Sequence, residues 1–185
     1  MIKRPTATVS HSTLNKLRAS VLGANDGIVS TSSVVMGVAG AGASDPVIFT
    51  AGLAALVAGA LSMAVGEYVS VSSQSDAEKM HIKKTHGGDT SKHEITSPWH
   101  AAVASLVSFT VGGLVPFLAV ILAPQAISIP VTVTAVFAAL LFTGYASATV
   151  GGASRIRAMI RVVIGGMLAM LVTYFVGMAF GASIA

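Results

Sequence analysis

Five long apolar stretches, separated by short polar breaks, dominate the hydrophobic pattern of this chain. A helix needs roughly 20 apolar residues to cross the hydrocarbon of a bilayer. Five segments reach that length: Ala19–Ala41, Val47–Val71, Trp99–Leu122, Val131–Gly152 and Met159–Ala182. The breaks carry the signals of helix ends. Ser44-Asp45-Pro46 supplies a cap and a first-turn proline before the second span, and Ser97-Pro98 does the same before the third. Trp99 then falls at the interface, where its amphipathic ring is favoured. Pro124 and Pro130 bracket a turn between the third and fourth spans, and Arg155 and Arg157 mark the turn before the fifth. The pattern predicts an all-α integral membrane protein with five transmembrane helices. One long polar stretch, residues 75–97, reads as a loop that extends the second helix at its start and turns at Gly87-Gly88. The expected organisation is an N-terminal segment over 1–18, helices one and two over 19–74, this loop, and helices three to five over 98–185.

Composition points the same way. The chain is 54% hydrophobic and only 10% charged, against about 25% charged in soluble domains. That is too little charge to solvate a globular surface, so lipid is the matching solvent. The glycines suit close approach between membrane helices. Without cysteine there is no disulfide, thiolate metal site or cysteine nucleophile. Residues 1–18 are mostly polar, and the apolar run after them is too long for the core of a cleavable signal. No HExxH, GxSxG, Walker or GxGxxG pattern occurs, so a non-enzyme is expected.

Charge sets the expected orientation. Lys3, Arg4, Lys16 and Arg18 precede the first span, and Lys79, Lys83, Lys84 and Lys92 lie between spans two and three. Arg155 and Arg157 lie between four and five, with Arg161 just inside the fifth span. All 11 basic residues thus fall on one side of a five-span topology. The positive-inside rule makes that side cytoplasmic, with the N-terminus inside and the C-terminus outside. The sequence pI near 9.7 then reflects topology, and no nucleic-acid partner is expected.

Two of the seven acids, Asp26 and Glu67, lie within predicted spans. A charge in a membrane helix costs a few kcal/mol on insertion scales and is kept when it pairs, titrates or binds something. Asp26 lies eight residues past Arg18, or about 12 Å along a helix. Glu67 lies near the basic end of the second helix, which runs the opposite way. The two acids are therefore expected at comparable depth, placed to converge on one cation. A second reading pairs Glu67 with an arginine such as Arg18. Helical steps from Asp26 land on Gly23, Ser30, Ser33 and Gly37, and steps from Glu67 land on Met63, Ser70 and Gln74. Oxygen ligands with one soft thioether suit Fe²⁺ or Mn²⁺ better than Ca²⁺ or Mg²⁺. Packing is the alternative role for Met63 and for the small-residue stripe. Asp76, Glu78, His81, His86, Asp89, His93 and Glu94 lie in the polar stretch, with His100 just beyond. They offer metal capture at the mouth, with Glu78 and His81 as supporting candidates. Their spacing matches no compact zinc pattern, so a solvated loop is the first reading.

With these residues in place, the sequence resembles the vacuolar iron transporter family. The match lies in LRASVLGANDGIVSTSSVVMGVAGA (Leu17–Ala41) and AGLAALVAGALSMAVGEYVSVSSQSDAEK (Ala51–Lys79). It continues in PWHAAVASLVSF (Pro98–Phe109) and RVVIGGMLAMLVTYFVG (Arg161–Gly177). The resemblance implies a two-fold dimer of five-helix chains with the ion pathway at the interface. It also implies export of Fe²⁺ or Mn²⁺ from the cytosol in exchange for protons. By motif, Asp26 and Met63 line that pathway. Typical members insert a glutamate-rich helical metal-binding domain between spans two and three; here the short loop Ser75–Ser97 stands in its place, as in the plant nodulin-like branch and some bacterial proteins.

The expected function is a proton-coupled exporter of divalent transition-metal ions. Its partners are a second copy of the chain, the lipid bilayer, metal ions and protons, and no cofactor is bound permanently. The expected location is the cell membrane of a bacterium or the vacuolar membrane of a eukaryote. A membrane protein that binds metal or assembles partners without transport is the alternative.

Overall fold

The structure, a computed structural model, describes residues 11–85 and 96–184. Five α-helices follow in order: α1 (His11–Gly40), α2 (Asp45–Thr85), α3 (Pro98–Leu122), α4 (Ser128–Gly151) and α5 (Arg155–Ile184). All five are long and apolar enough to cross a membrane, and the described residues contain no strand. This is the all-α, five-span architecture that the hydrophobic pattern predicts.

The helix ends follow local chemistry. The Ser44 carbonyl accepts the Ile48 N–H at 3.1 Å to open α2, and the Ser97 carbonyl accepts the Ala101 N–H at 3.3 Å to open α3. Pro46 and Pro98 stand in the first turns, where a missing N–H costs nothing. The break before α4 is shorter than the two prolines suggest. Pro124 precedes a single 3₁₀ turn, Gln125–Ile127, and α4 begins at Ser128 rather than Val131. Pro130 is thus the third helical residue, still within the turn whose N–H groups have no intrahelical partner.

The turn before α5 also differs from expectation. Gly152, at φ 65°, closes α4 in a left-handed cap with its N–H on the Ala148 carbonyl. Ser154 opens α5 by accepting the Ala158 N–H at 3.1 Å. Arg155 and Arg157 therefore occupy the first turn of α5, not the connection itself. Arg155 lies over the Tyr145 ring at 5.2 Å from its centroid, which ties the two helix ends together.

The 41 residues of α2 extend about 60 Å at 1.5 Å per residue. That is twice a hydrocarbon core of about 30 Å, so the polar end of α2 extends well past a single crossing. Its buried positions are Gly52, Leu56, Ala60, Glu67, Val71, Ser75 and Ile82, a single stripe repeating every three to four residues. Short connections make α1, α3 and α5 run one way and α2 and α4 the other. Arg18, the end of α2 and the start of α5 therefore gather at one basic end of the bundle. At the opposite end, the turns 41–44 and 123–127 carry no charge, and Asp45 alone opens α2.

Helix α1 is the hub and touches all four other helices. Its glycines let backbones meet. A Cβ on Gly27 would stand 2.1 Å from the Phe109 carbonyl of α3, and one on Gly177 of α5 would stand 1.8 Å from the Gly37 carbonyl. Ile28 and Met36 of α1 form one core with Val136, Leu140 and Met170, while Leu56, Ala60, Phe109 and Phe117 form a second between α2 and α3. The outward faces carry exposed Val57, Leu61, Val65, Phe142, Leu168 and Phe175, which fits lipid as the surrounding solvent. Tyr68 and Trp99 meet as a tilted pair with ring centroids 5.1 Å apart near the basic end, where aromatic belts form.

Candidate metal site

The register between α1 and α2 sets the geometry of the two intramembrane acids. Val35 lies against Gly52, and Ala19 shares a cluster with Val71. Interpolating between these two levels places Met63 beside Asp26 in height. Glu67 falls one helical turn nearer the basic end, level with residue 22.

Glu67 belongs to the buried stripe of α2 and is 6% exposed. Arg18 of α1 reaches it, and a guanidinium N–H of Arg18 donates to Glu67 Oε1. The buried carboxylate is thereby neutralised by a half-exposed arginine whose other end meets the basic surface. Of the two readings open for Glu67, pairing with Arg18 is the arrangement present within the single chain.

Asp26 has a different environment. It is half-buried, and its Oδ1 accepts the Ser30 hydroxyl at 2.5 Å, one turn along the same helix. Among the described residues no arginine, lysine or histidine forms an ion pair with it. The side-chain oxygens of Asn25 and Ser33, on the same stretch of α1, are buried without a hydrogen-bond partner. Met63 is half-buried and packs against the Leu56–Ala60–Phe109–Phe117 cluster. The interpolated register thus puts Asp26 and Met63 at similar height on adjacent antiparallel helices.

The supporting candidates separate. Ser30 is bound to Asp26, whereas Ser70 lies exposed on α2. Glu78 accepts the Gln74 side-chain amide at 2.9 Å, the Thr96 N–H at 3.3 Å and the Thr96 hydroxyl at 3.2 Å. It thereby anchors the start of α3 to the projecting end of α2. His81 and His100 are exposed, and Asp76 pairs with Lys79 at 3.6 Å. His86, Asp89, His93 and Glu94 lie outside the described residues. Among the described residues no three His, Cys, Asp or Glu side chains come together as a metal cage.

A family model for the VIT family matches residues 17–88 and 78–178, which takes in α2, α3 and α4 whole and most of α1 and α5. The chain belongs to the VIT family. It is 45% identical to vacuolar iron transporter homolog 4 of Arabidopsis thaliana over 159 residues, covering 85% of this chain and 80% of that one. It is 44% identical to vacuolar iron transporter homolog 1 of Oryza sativa subsp. japonica, covering 89% of this chain and 74% of that one. A VIT-like transporter 1b of Glycine max is 38% identical over 90% of this chain and 77% of its own length. This VIT family member is accordingly a multi-pass membrane protein.

Two features escaped the sequence. The Glu78–Thr96 anchor joins residues 18 positions apart across a polar segment without periodicity. Asn25 stands beside Asp26 in the chain, yet only the folded packing shows its side-chain oxygen buried and unpaired. An amide inside a predicted span was the available signal, since polar groups in lipid must find partners.

Proposed function

We propose that this VIT family protein moves Fe²⁺ or Mn²⁺ out of the cytosol in exchange for protons, with Asp26 as the ion-binding carboxylate. The observation that carries the reading is the contrast between the two intramembrane acids: among the described residues Glu67 is neutralised by Arg18, while Asp26 has a serine hydroxyl and no cation. An uncompensated carboxylate within a span calls for a mobile cation, and both a metal ion and a proton meet that need. Because they compete for the same oxygens, protonation of Asp26 releases the metal, and metal binding displaces the proton. The level placement of Met63 supports a soft ligand beside the hard one, a donor set suited to a transition metal.

One carboxylate and one thioether leave the ion under-coordinated. A two-fold dimer brings a second Asp26 and a second Met63 to the same level and supplies the missing ligands. The basic end faces the cytosol by the positive-inside rule. The plant relatives, named vacuolar iron transporter homologues, favour the vacuolar membrane as the location. Transport, with no enzymatic step, is the whole activity.

Flux into proteoliposomes tests this reading. Wild-type protein is expected to move Fe²⁺ or Mn²⁺ faster with a pH gradient than without, and Asp26→Asn and Met63→Ala are expected to lose the flux. Wild-type flux by both variants would remove the site assignment, and indifference to the gradient would remove proton coupling. Purified protein that binds Fe²⁺ and moves none would instead favour a non-transporting metal-binding protein.

A further inference from the structure

A cavity of about 730 Å³ opens between α1, α4 and α5 on the basic half of the bundle. Two arginines line it, Arg18 and Arg161, and no acidic residue does. Arg161 is exposed and forms no ion pair among the described residues. Arg18 gives one N–H to Glu67 and keeps the rest of its five donors. The half-buried Asn25 also lines the cavity, and its side-chain oxygen has no hydrogen-bond partner. Thr143 and Ser147 of α4 add two hydroxyl residues, and the rest of the wall is apolar or glycine, with Leu22, Val29 and Val162 among it.

We propose that this cavity is a binding groove for one anionic phospholipid, its phosphate held by Arg18 and Arg161 and an acyl chain lying along α1 and α5. Charge complementarity argues for the headgroup: Arg161 has no carboxylate partner among the described residues, and Arg18, although paired with Glu67, keeps further N–H donors that suit a phosphate. Length argues for the chain. The groove runs along α1 from Arg18 to Val29, about 16 Å of helix, which matches one leaflet of a hydrocarbon core about 30 Å thick.

Gly165 supplies an independent reason. It lies in the middle of α5 and lines the groove, and a Cβ there would meet nothing within 4 Å. Glycine is the poorest helix former after proline, and no neighbouring helix requires it at this position. Its missing side chain keeps the floor open, as an inserted alkyl chain needs.

Native mass spectrometry of the full chain in neutral detergent tests the groove against dioleoylphosphatidylglycerol, dioleoylphosphatidylcholine and inorganic phosphate. Phosphatidylglycerol is expected to be retained at least about fivefold better than phosphatidylcholine, and Arg161→Gln to reduce that preference about fivefold, the weight of one arginine at an anionic surface. Gly165→Leu, which fills the floor, is expected to displace the lipid while Tm without added lipid stays at the wild-type value. Equal retention of both lipids, or wild-type retention by the two variants, overturns the proposal. Displacement of phosphatidylglycerol by an equal concentration of inorganic phosphate overturns it in favour of a free-anion site. If Gly165→Leu splits a dimer and leaves lipid retention unchanged, the groove belongs to a second copy of the chain and the proposal falls.

Discussion

The Arg18 guanidinium on α1 donates to the Glu67 carboxylate on α2, neutralising from a neighbouring helix an acid that is 6% exposed. The pair is asymmetric, because the Arg18 side chain is 51% exposed and reaches water when its partner is lost. Arg18→Ala leaves a buried charge behind and is expected to cost about 3 kcal/mol. Glu67→Gln leaves only a solvated guanidinium and is expected to cost about 1 kcal/mol. The double variant Arg18→Ala/Glu67→Gln is expected to recover most of the larger loss. Thermal unfolding in detergent measures all three, and equal losses for the two single variants would contradict the asymmetry.

The Ser30 hydroxyl donates to Asp26 at 2.5 Å and so orients the carboxylate proposed to bind the ion. Ser30→Ala is expected to weaken metal affinity roughly 10-fold to 100-fold, as the loss of a ligand-orienting hydrogen bond does. Met63→Leu keeps the volume and removes the sulfur. It is expected to reduce Fe²⁺ flux more than Mn²⁺ flux, since Mn²⁺ is better satisfied by oxygen alone. Competition between the two ions in proteoliposomes measures the shift, and an unchanged ratio would remove the thioether from the site.

Contact between α1 and α5 is made by backbone at Gly37 and Gly177. A methyl group at Gly177 would stand 1.8 Å from a carbonyl oxygen, so the helices must separate to admit it. Gly177→Ala is expected to cost at least about 2 kcal/mol by overpacking. Gly66, whose Cβ would meet nothing within 4 Å, is the control, and Gly66→Ala is expected to leave Tm unchanged or raise it. Melting of the two variants side by side decides the point.

Glu78 anchors the start of α3 through Thr96, which is buried. Glu78→Ala removes acceptors from a buried N–H and hydroxyl and is expected to cost about 2 kcal/mol. Hydrogen exchange at the Thr96 amide is expected to accelerate. Wild-type exchange combined with weaker metal binding would instead make Glu78 a ligand of the ion.

Much of the fold was legible because membrane insertion is a local rule. Each span must hold about 20 apolar residues and satisfy its own backbone, so length and hydropathy along the chain suffice to count five helices. Helix starts are local too: Ser44 and Ser97 stand just before α2 and α3 as expected, although Ser97 serves through its backbone carbonyl and makes no side-chain cap. The boundaries of α4 and α5 were less legible because Pro130 and Arg155 tolerate the first helical turn as readily as a loop. Asp26 and Glu67 stood out from the cost of charge in lipid. Their different partners did not, since an arginine eight residues before one acid and 49 before the other is compatible with several side-chain arrangements.

By itself, the sequence determined that this is a five-helix membrane protein with charge gathered at one end and two acids inside its spans. Those properties depend on transfer from water to lipid, which each segment undergoes on its own. Only the tertiary structure decided that Arg18 takes Glu67, that Asp26 has no cationic partner among the described residues, and that a groove lined by two arginines opens between α1, α4 and α5. These depend on the rotation and register of one helix against another. Close backbone approach at Gly27 and Gly177 fixes α1 against α3 and α5, and the contact of Val35 with Gly52 fixes it against α2, packing that no single segment contains.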